Sequence, residues 1–270
     1  MARGSSSRKD SMKPSDAKAA TDPHPDSGHQ QWMADATVKT YRRGQTIIEA
    51  GSELGEWVAI SSGAACLVAK VAGSTNIAVA ALWLGDVIGW NSPLGKLAAR
   101  YEVNALVDVV TINIPRTQLA ATPTANKQAE TALLHAATET RLQDQISMRL
   151  AGNGFQRLVS VLATLARALA PPPMPTQQQS VRMERRLALP VAQSCIGQLS
   201  GLSRRQTWIY LGQLADVGWV TTSRSKVVLE GIGPWLELMA EVELNGLACI
   251  ATVELCSETL GRLGNVSSGR

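Results

Sequence analysis

The sequence has few of the residues that build metal and redox sites. Only four cysteines and three histidines occur among its 270 residues, and their spacing matches no zinc or iron–sulfur pattern. They are Cys66, Cys195, Cys249, Cys256, His24, His29 and His135. We therefore predict no cofactor and no metal, and we interpret the cysteines as buried or free thiols rather than as a redox sensor.

Long apolar runs and the motifs of common enzymes are also missing. No stretch of about 18 uncharged apolar residues occurs, and the first residues lead into no apolar signal-peptide core. There is no Gly-x-Ser-x-Gly elbow, no phosphate-binding glycine loop and no grouping of carboxylates with histidine that suggests divided catalytic roles. We expect a soluble cytoplasmic protein that has no membrane partner and is not an enzyme.

Residues 196–214 have the pattern of two short helices joined by a tight turn. Gly201 can adopt the positive φ that such a corner needs, Leu202 follows as an apolar plug, and Ser203 can cap the second helix. The residues that recur at helical spacing on one face, and should form core, are Thr207, Tyr210, Leu211 and Leu214. A corner between two helices of an all-α core has the same local pattern, so the motif alone leaves that alternative open.

The opposite face of the second helix begins with two arginines. A helix that presents arginines from its N-terminal turn is suited to the major groove of DNA. Residues 219–229 alternate enough to form two short strands with a basic tip, as in the wing of a winged helix. The side chains predicted to contact DNA are Ser203, Arg204, Arg205, Gln206, Trp208, Ile209, Arg224 and Lys226.

The net charge of the chain is concentrated around this motif. Residues 181–230 contain seven Lys or Arg and three acidic residues, an excess of four that equals the formal net charge of +4 of the whole chain. A basic surface gains affinity for phosphates by releasing counterions. This agreement favours DNA binding over the simple helical corner.

The N-terminal half has β-type patterning. Residues 1–35 are polar and mixed in charge, which predicts a disordered tail. From there to residue 115, short apolar runs predict strands over 57–60, 65–69, 77–82 and 107–114. Gly51, Gly63, Gly73 and Gly85 stand 12, 10 and 12 residues apart. That turn spacing is typical of a compact antiparallel barrel or sandwich.

A long helix is predicted over residues 125–150. Its broad apolar stripe consists of Leu133, Leu134, Ala137, Leu142, Ile146 and Leu150. Because the helix links two domains, a partner helix on a two-fold axis is a natural way to bury the stripe. The alternative is a helix that lies back on its own barrel. A dimer would also place two recognition helices about one DNA turn apart.

Two further helices are predicted, over 155–169 and 235–242, and the first ends before Pro171. The residues after about 245 have no predicted role. Cys249 and Cys256 stand seven residues apart and could share a helix face, which indicates packing rather than chemistry.

The order of barrel, long helix, second helix and winged helix resembles the Crp/Fnr superfamily of transcription regulators. The stretches that carry the resemblance are Tyr41-Arg-Arg-Gly-Gln-Thr-Ile-Ile-Glu-Ala-Gly51, Ile60-Ser-Ser-Gly63, Leu84-Gly-Asp-Val-Ile-Gly89 and residues 196–220 with their Gly-Leu-Ser-Arg core. It implies an α+β fold with an N-terminal antiparallel β-roll or jelly roll, a long dimerisation helix and a C-terminal winged helix-turn-helix domain. The implied division is a tail (1–35), a cyclic-nucleotide-binding-like sensor domain (36–118), the dimerisation helix (119–151), the DNA-binding domain (152–244) and a C-terminal extension (245–270).

The effector pocket departs from the cyclic-AMP-binding members of that family. In those members a Glu for the ribose and an Arg-Ser pair for the phosphate follow the Gly-Asp-x-x-Gly stretch. Here Trp90 or Asn91 stands in place of the Glu, and the stretch around Arg100 and Tyr101 replaces Arg-Ser. A phosphate needs a charge-assisted donor and a small hydroxyl neighbour, so we predict that cyclic-nucleotide binding is lost. The candidate pocket, whose effector is unknown, comprises Gly89, Trp90, Asn91, Arg100 and Tyr101, and Arg100 leaves another anion possible.

The resemblance also assigns roles on the recognition helix. The family's base-reading positions fall on Arg204, Arg205 and Ile209, and Arg204 could pair bidentately with guanine O6 and N7. Trp208 either packs on the DNA backbone or wing, or is a partly buried packing residue. The implied partners are double-stranded DNA, a second copy of the chain and RNA polymerase. In the alternative function, which the tails and tryptophans suggest, the barrel docks another protein and DNA contact is secondary.

Overall fold

The computed structural model describes residues 36–70, 76–88, 98–115, 125–170, 186–223 and 226–268. These residues form an antiparallel barrel, a long helix and a helical C-terminal domain with a small sheet. The predicted tail (1–35), Gly73 and the tip of the wing lie outside the described residues. None of the described helices combines the length and apolar character needed to cross a membrane.

Eight strands in two antiparallel four-stranded sheets make up the barrel, in the orders β1-β8-β3-β6 and β2-β7-β4-β5. The strands are β1 (Thr37–Tyr41), β2 (Thr46–Ile48), β3 (Glu56–Ser62), β4 (Ala64–Ala69), β5 (Ile77–Trp83), β6 (Val87–Ile88), β7 (Glu102–Ala105) and β8 (Val109–Pro115). The four strands predicted from the sequence are confirmed as β3, β4, β5 and β8. The other four have two to five residues each, too few for a clear alternation of apolar and polar side chains.

Strand β4 is buried on both of its faces because it separates two cores. Ala65 and Leu67 point into the barrel, whereas Ala64, Cys66 and Val68 belong to the apolar core of the C-terminal domain. Successive side chains of a strand point to opposite faces, so a strand covered on both sides needs a continuous apolar run. The barrel and the C-terminal domain are therefore packed against each other through this sheet.

The long helix, α1 (Ala125–Leu150), follows the barrel and packs on it. Its Gln145 side-chain amide donates to the Ala81 carbonyl (2.9 Å) and accepts from the Ala81 N–H (2.8 Å) in β5. The helix bounds are confirmed, and the predicted apolar stripe is divided between a residue on the barrel and residues exposed in the single chain. Leu142 is buried on the barrel, whereas Leu133 and Leu150 are 69% and 81% exposed. The face that contacts the barrel is instead largely polar.

Asp86 is the centre of that polar contact and is fully buried. Its carboxylate accepts from the Trp83 N–H (2.7 Å) and from the Thr138 hydroxyl (3.3 Å), and it forms an ion pair with Arg141. The Arg141 guanidinium also lies over the Trp83 ring, 4.4 Å from its centroid. One carboxylate therefore closes the β5–β6 turn and attaches α1 to the barrel.

The C-terminal domain contains five α-helices, a 3-10 turn and three strands among its described residues. The elements are α2 (Gly154–Leu169), β9 (Leu187–Leu189), α3 (Gln193–Ser200), α4 (Arg204–Asp216), β10 (Val220–Ser223), β11 (Lys226–Leu229), α5 (Ile232–Asn245), the 3-10 turn (Leu247–Ile250) and α6 (Val253–Ser268). The wing is a three-stranded antiparallel sheet in the order β10-β11-β9. Strand β9 adds an edge to the two-stranded wing predicted from the sequence.

The residues after 245 belong to the core of this domain, which the sequence did not predict. Ile250, Cys256 and Leu260 are fully buried, and the Trp219 indole donates to the Ser257 hydroxyl (3.0 Å). The prediction that Cys249 and Cys256 share a helix face is wrong, because Gly246 begins a 3-10 turn and α6 starts only after it. The C-terminal domain therefore extends through α6, beyond the boundary near residue 244 that the sequence suggested.

Removal of the buried carboxylate should be costly. We expect Asp86→Ala to lower the free energy of unfolding by about 3–5 kcal/mol, because it leaves Arg141 without its partner. Glu49→Ala, at an exposed position of the same barrel, should change it by less than about 0.5 kcal/mol. Urea unfolding followed by circular dichroism measures both, and equal effects of the two substitutions would contradict the role given to Asp86.

Candidate nucleic-acid interface

Helices α3 and α4 form a helix-turn-helix whose corner depends on two glycines. Gly201 ends α3 in the left-handed conformation (φ 63°), as predicted. Gly197 allows the close approach of the two helices, because a Cβ there would lie 2.6 Å from the Thr207 hydroxyl oxygen. The tight corner fixes the direction in which α4 leaves the domain.

A capping box sets the start of α4. The Ser203 hydroxyl accepts from the Gln206 N–H (3.2 Å), and the Gln206 side-chain oxygen accepts from the Ser203 N–H (3.1 Å). The cap predicted for Ser203 is confirmed. Gln206, predicted to contact DNA, has its side-chain oxygen engaged in this box, although the residue is exposed.

The inner face of α4 is the one the periodicity predicted. Thr207, Leu211 and Leu214 are buried, and Tyr210 is half-buried with its ring edge-on to Phe155 at 5.9 Å between centroids. These contacts attach α4 to α2 and to the domain core. The outer face is consequently held in a fixed direction.

That outer face is exposed and carries two arginines. Arg204 and Arg205 are exposed and have no ion-pair partner among the described residues. Trp208 and Ile209 are 71% and 38% exposed. The alternative interpretation of Trp208 as a partly buried packing residue is therefore wrong.

A groove of about 980 Å³ runs between α4, the wing and the barrel. The charged residues that line it are all basic, namely Arg43, Arg204, Arg205 and Lys226. The Gln193 side chain donates to the Ser223 carbonyl (3.3 Å) and so attaches α3 to the wing. Arg43 comes from the barrel, and its distance from the motif along the chain hid it from sequence analysis. Arg224 lies outside the described residues.

Arg186 contributes less to this basic surface than its charge suggests. Its guanidinium donates two hydrogen bonds to Glu230, at 2.6 and 2.7 Å. These bonds, with a further one from the Thr221 hydroxyl, hold the pKa of the Glu230 carboxyl below its usual range. The ion pair joins the start of β9 to the end of β11 within the wing. The charge of Arg186 is therefore balanced by Glu230.

Two residues of the candidate effector pocket are described, and they form no anion cradle of their own. The Arg100 guanidinium lies 5.4 Å from the centroid of the Tyr101 ring, and Tyr101 packs on the barrel core. Gly89, Trp90 and Asn91 lie outside the described residues. Within the described ranges, no group of three His, Cys, Asp or Glu side chains could hold a metal ion.

Comparison with known proteins supports the fold assignment. The model of the cyclic nucleotide-binding domain family matches residues 38–123, which contain the barrel. FixK2 from Bradyrhizobium japonicum is 20% identical and superposes with a TM-score of 0.59, over 72% of this chain and 92% of that one. A comparison with curated protein sequences found no match.

Two further solved structures have the same architecture. TTHB099, a CRP-family transcriptional regulator from Thermus thermophilus, is 19% identical with a TM-score of 0.59, over 79% of this chain and 100% of that one. The c-di-GMP-responsive global regulator CLP from Xanthomonas campestris is 16% identical with a TM-score of 0.58, over 76% and 99%. These similarities confirm the fold that the resemblance implies.

Two glycines near the interface should respond oppositely to alanine. Gly201→Ala places a Cβ at positive φ and 3.1 Å from the Arg149 Nε, so we expect it to destabilise the domain by about 1–2 kcal/mol. Gly212→Ala lies within α4 with open space around its Cβ, and it should stabilise by about 0.5–1 kcal/mol. Thermal unfolding measures the difference, and a loss of stability at both positions would contradict this description of the corner.

Proposed function

We propose that this chain, which has the fold of the Crp/Fnr superfamily, is a homodimeric transcription regulator that binds DNA sequence-specifically. The observation that carries the proposal is the exposed face of α4, where Arg204 and Arg205 open onto a groove lined by no acidic side chain among the described residues. The width of the major groove of B-DNA admits such a helix. The fold shared with regulators of the CRP family supports the same function.

Residues on the interface divide into those that read bases and those that position the protein. Arg204, in the first turn of α4, is placed to pair with guanine O6 and N7. Ile209 can contact only a thymine methyl group or the shape of the groove. Lys226 lines the groove and Ser203 is exposed at the N-terminus of α4, and both suit phosphate oxygens, which position the protein without specifying sequence. The exposed Trp208 ring can pack on sugars of the backbone.

A homodimer is the second part of the proposal. Leu133 and Leu134 on α1 are 69% and 47% exposed, and the adjacent Ala136 and Ala137 are exposed too. Leu133, Ala136 and Ala137 lie on the side of α1 opposite Leu142, which packs on the barrel, and Leu134 lies one turn before the barrel-contacting Thr138. A second copy of the helix on a two-fold axis would cover these apolar side chains and present two α4 helices to successive half-sites.

The barrel is proposed to act as a sensor that has lost cyclic-nucleotide binding, and RNA polymerase is a proposed partner. The alternative, in which the barrel mainly docks another protein, has less support. Of the five described tryptophans, only Trp208 is exposed, and it lies on the DNA-facing helix. The other four described tryptophans are buried or half-buried, so they offer no docking surface.

The proposal is tested by selection of bound duplexes from a random DNA pool with the purified protein. We expect a two-fold symmetric motif whose affinity exceeds that of scrambled DNA by about 10³-fold or more at physiological salt. Weak, salt-dependent binding that yields no motif would contradict the proposal that the protein binds DNA sequence-specifically when no effector is added.

Arg204→Ala and Lys226→Ala should separate base reading from phosphate contact. We expect Arg204→Ala to lose about 1–3 kcal/mol of discrimination at one base pair of each half-site, with little effect on non-specific DNA. Lys226→Ala should weaken all sequences about equally and reduce the slope of log K against log salt by about 1. Fluorescence anisotropy across salt concentrations measures both effects. Equal losses on specific and scrambled DNA for Arg204→Ala would exclude a base-reading role.

Leu133→Glu should shift the chain from dimer to monomer, because it places a carboxylate in the apolar contact between helices. Leu244→Glu is the matched control, since Leu244 is 81% exposed on α5, away from the proposed contact. Sedimentation equilibrium measures the assembly, and operator affinity should fall only for the α1 variant. A monomeric parent protein, or an unchanged dimer in the Leu133 variant, would contradict the proposed interface.

A further inference from the structure

A cavity of about 110 Å³ lies where strand β5, helix α1 and helix α2 meet. Four arginines line it, namely Arg141 and Arg149 from α1 and Arg157 and Arg167 from α2. It shares no residue with the candidate effector pocket predicted from the sequence, and it lies beside the polar contact of Asp86 with α1. The DNA-binding domain contributes its wall through α3 and α5.

Three of the four arginines of this cavity, Arg149, Arg157 and Arg167, form no ion pair with the described residues. Arg141 has Asp86 as a partner, but Arg149 and Arg157 have no carboxylate within 4.0 Å. Asp144 and Glu243 also line the cavity without forming an ion pair. The Nε atoms of Arg141 and Arg157 are buried without an acceptor among the described residues. The four residues themselves are half-buried or, for Arg167, exposed, so the cost lies in the two Nε groups that have lost water without gaining an acceptor, and an anion in the cavity would supply one.

The electrostatics of the two helices agree with the geometry. Burial lowers the pKa of Arg149, and the neighbouring Arg157 lowers it further. The Arg157 guanidinium donates to the backbone carbonyl of Arg149 at 3.1 Å, which holds the Arg157 side chain against the end of α1. Two like charges near one elbow favour a negative group between them.

The remaining wall combines apolar side chains with the polar Gln145, Ser160 and Thr164, and the size of the cavity limits the ligand to a small molecule. Val79, Met148, Leu199 and Met239 face the space between the arginines. The volume is well below the roughly 300–1,000 Å³ typical of pockets for drug-sized ligands. A charged group beside a compact apolar body fits this wall better than a nucleotide does.

We propose that this cavity, the elbow cavity, binds a small organic carboxylate with a compact apolar body. The bound ligand would reach the recognition helix through Arg149, because a Cβ on Gly201 would lie 3.1 Å from its Nε and the side chain thus packs on the helix-turn-helix corner. A carboxylate that draws Arg149 and Arg157 together acts on the orientation of α4. Binding of a carboxylate in the elbow cavity does not depend on the proposed function. Its role as an effector site rests on the proposed function, because that role requires the chain to bind DNA.

Calorimetric titration of the full chain without DNA tests the site. Benzoate is the probe, benzamide is its neutral match, and inorganic phosphate is an anion without an apolar body. We expect benzoate to bind at least tenfold more tightly than either of the others. Binding of benzamide as tight as that of benzoate, or no binding of benzoate at millimolar concentration, would overturn the proposal.

Variants locate the binding. Arg157→Gln and Arg149→Gln should each weaken benzoate binding at least tenfold, whereas Arg42→Gln, at an exposed position of the barrel, should leave it unchanged. Thermal unfolding establishes that each variant is folded, and the comparison of benzoate with benzamide on the parent chain needs no variant. Unchanged binding in both folded elbow variants would overturn the assignment.

The effect on DNA separates the site from the proposed function. Benzoate should change the affinity for the selected duplex in the parent protein and not in Arg157→Gln. Benzoate binding in a chain that selects no DNA motif would uphold the elbow cavity and contradict the proposed function. Benzoate binding with unaltered affinity for a selected duplex would uphold the site and exclude its role as an effector site.

Discussion

The buried carboxylate of Asp86 is the constraint on which the arrangement of the structure depends. A carboxylate with no solvent exposure is tolerated only when hydrogen bonds and a counter-charge replace its hydration. Asp86 obtains them from the β5–β6 turn on one side and from Thr138 and Arg141 of α1 on the other. The barrel therefore cannot close its own turn without holding the long helix, and the position of α1 fixes where α2 begins.

Strands β4 and β5 transmit that constraint to the C-terminal domain. Each presents one set of side chains to the barrel core and the other set to the core that α2, α3 and α5 build. The Ala78 N–H of β5 also donates to the Gln198 side chain of α3 at 3.2 Å. A shift of the sheet or of the α1–α2 elbow would therefore displace α3, the first helix of the helix-turn-helix. This continuity gives the proposed sensor a physical connection to α4.

The parts of the structure that repeat a local pattern could be predicted from the sequence. The cap at Ser203, the left-handed Gly201, the buried face of α4 and the bounds of α1 each depend on neighbours within a few residues. The order of barrel, long helix and helix-turn-helix followed from the same local patterns, and that order carried the resemblance. These features are the ones for which local preference and fold agree.

The parts that sequence analysis missed depend on contacts between distant segments. The polar contact of Asp86 joins residues about fifty positions apart, and Arg43 reaches the basic groove beside α4 from the barrel. The face that α1 turns to the barrel is polar, so an apolar stripe could not reveal it. Helix α6 was missed because its role is to complete a core formed by earlier elements.

The central claim is that α4 reads base edges in the major groove, and methylation interference tests it most directly. The selected duplex is methylated sparsely at guanine N7, bound by the protein and separated into bound and free fractions. We expect strong interference at one or more guanines in each half-site, placed symmetrically about the two-fold axis. If a parallel experiment with ethylated phosphates shows interference and the methylated duplex shows none at guanine N7, the base-reading role of α4 is contradicted.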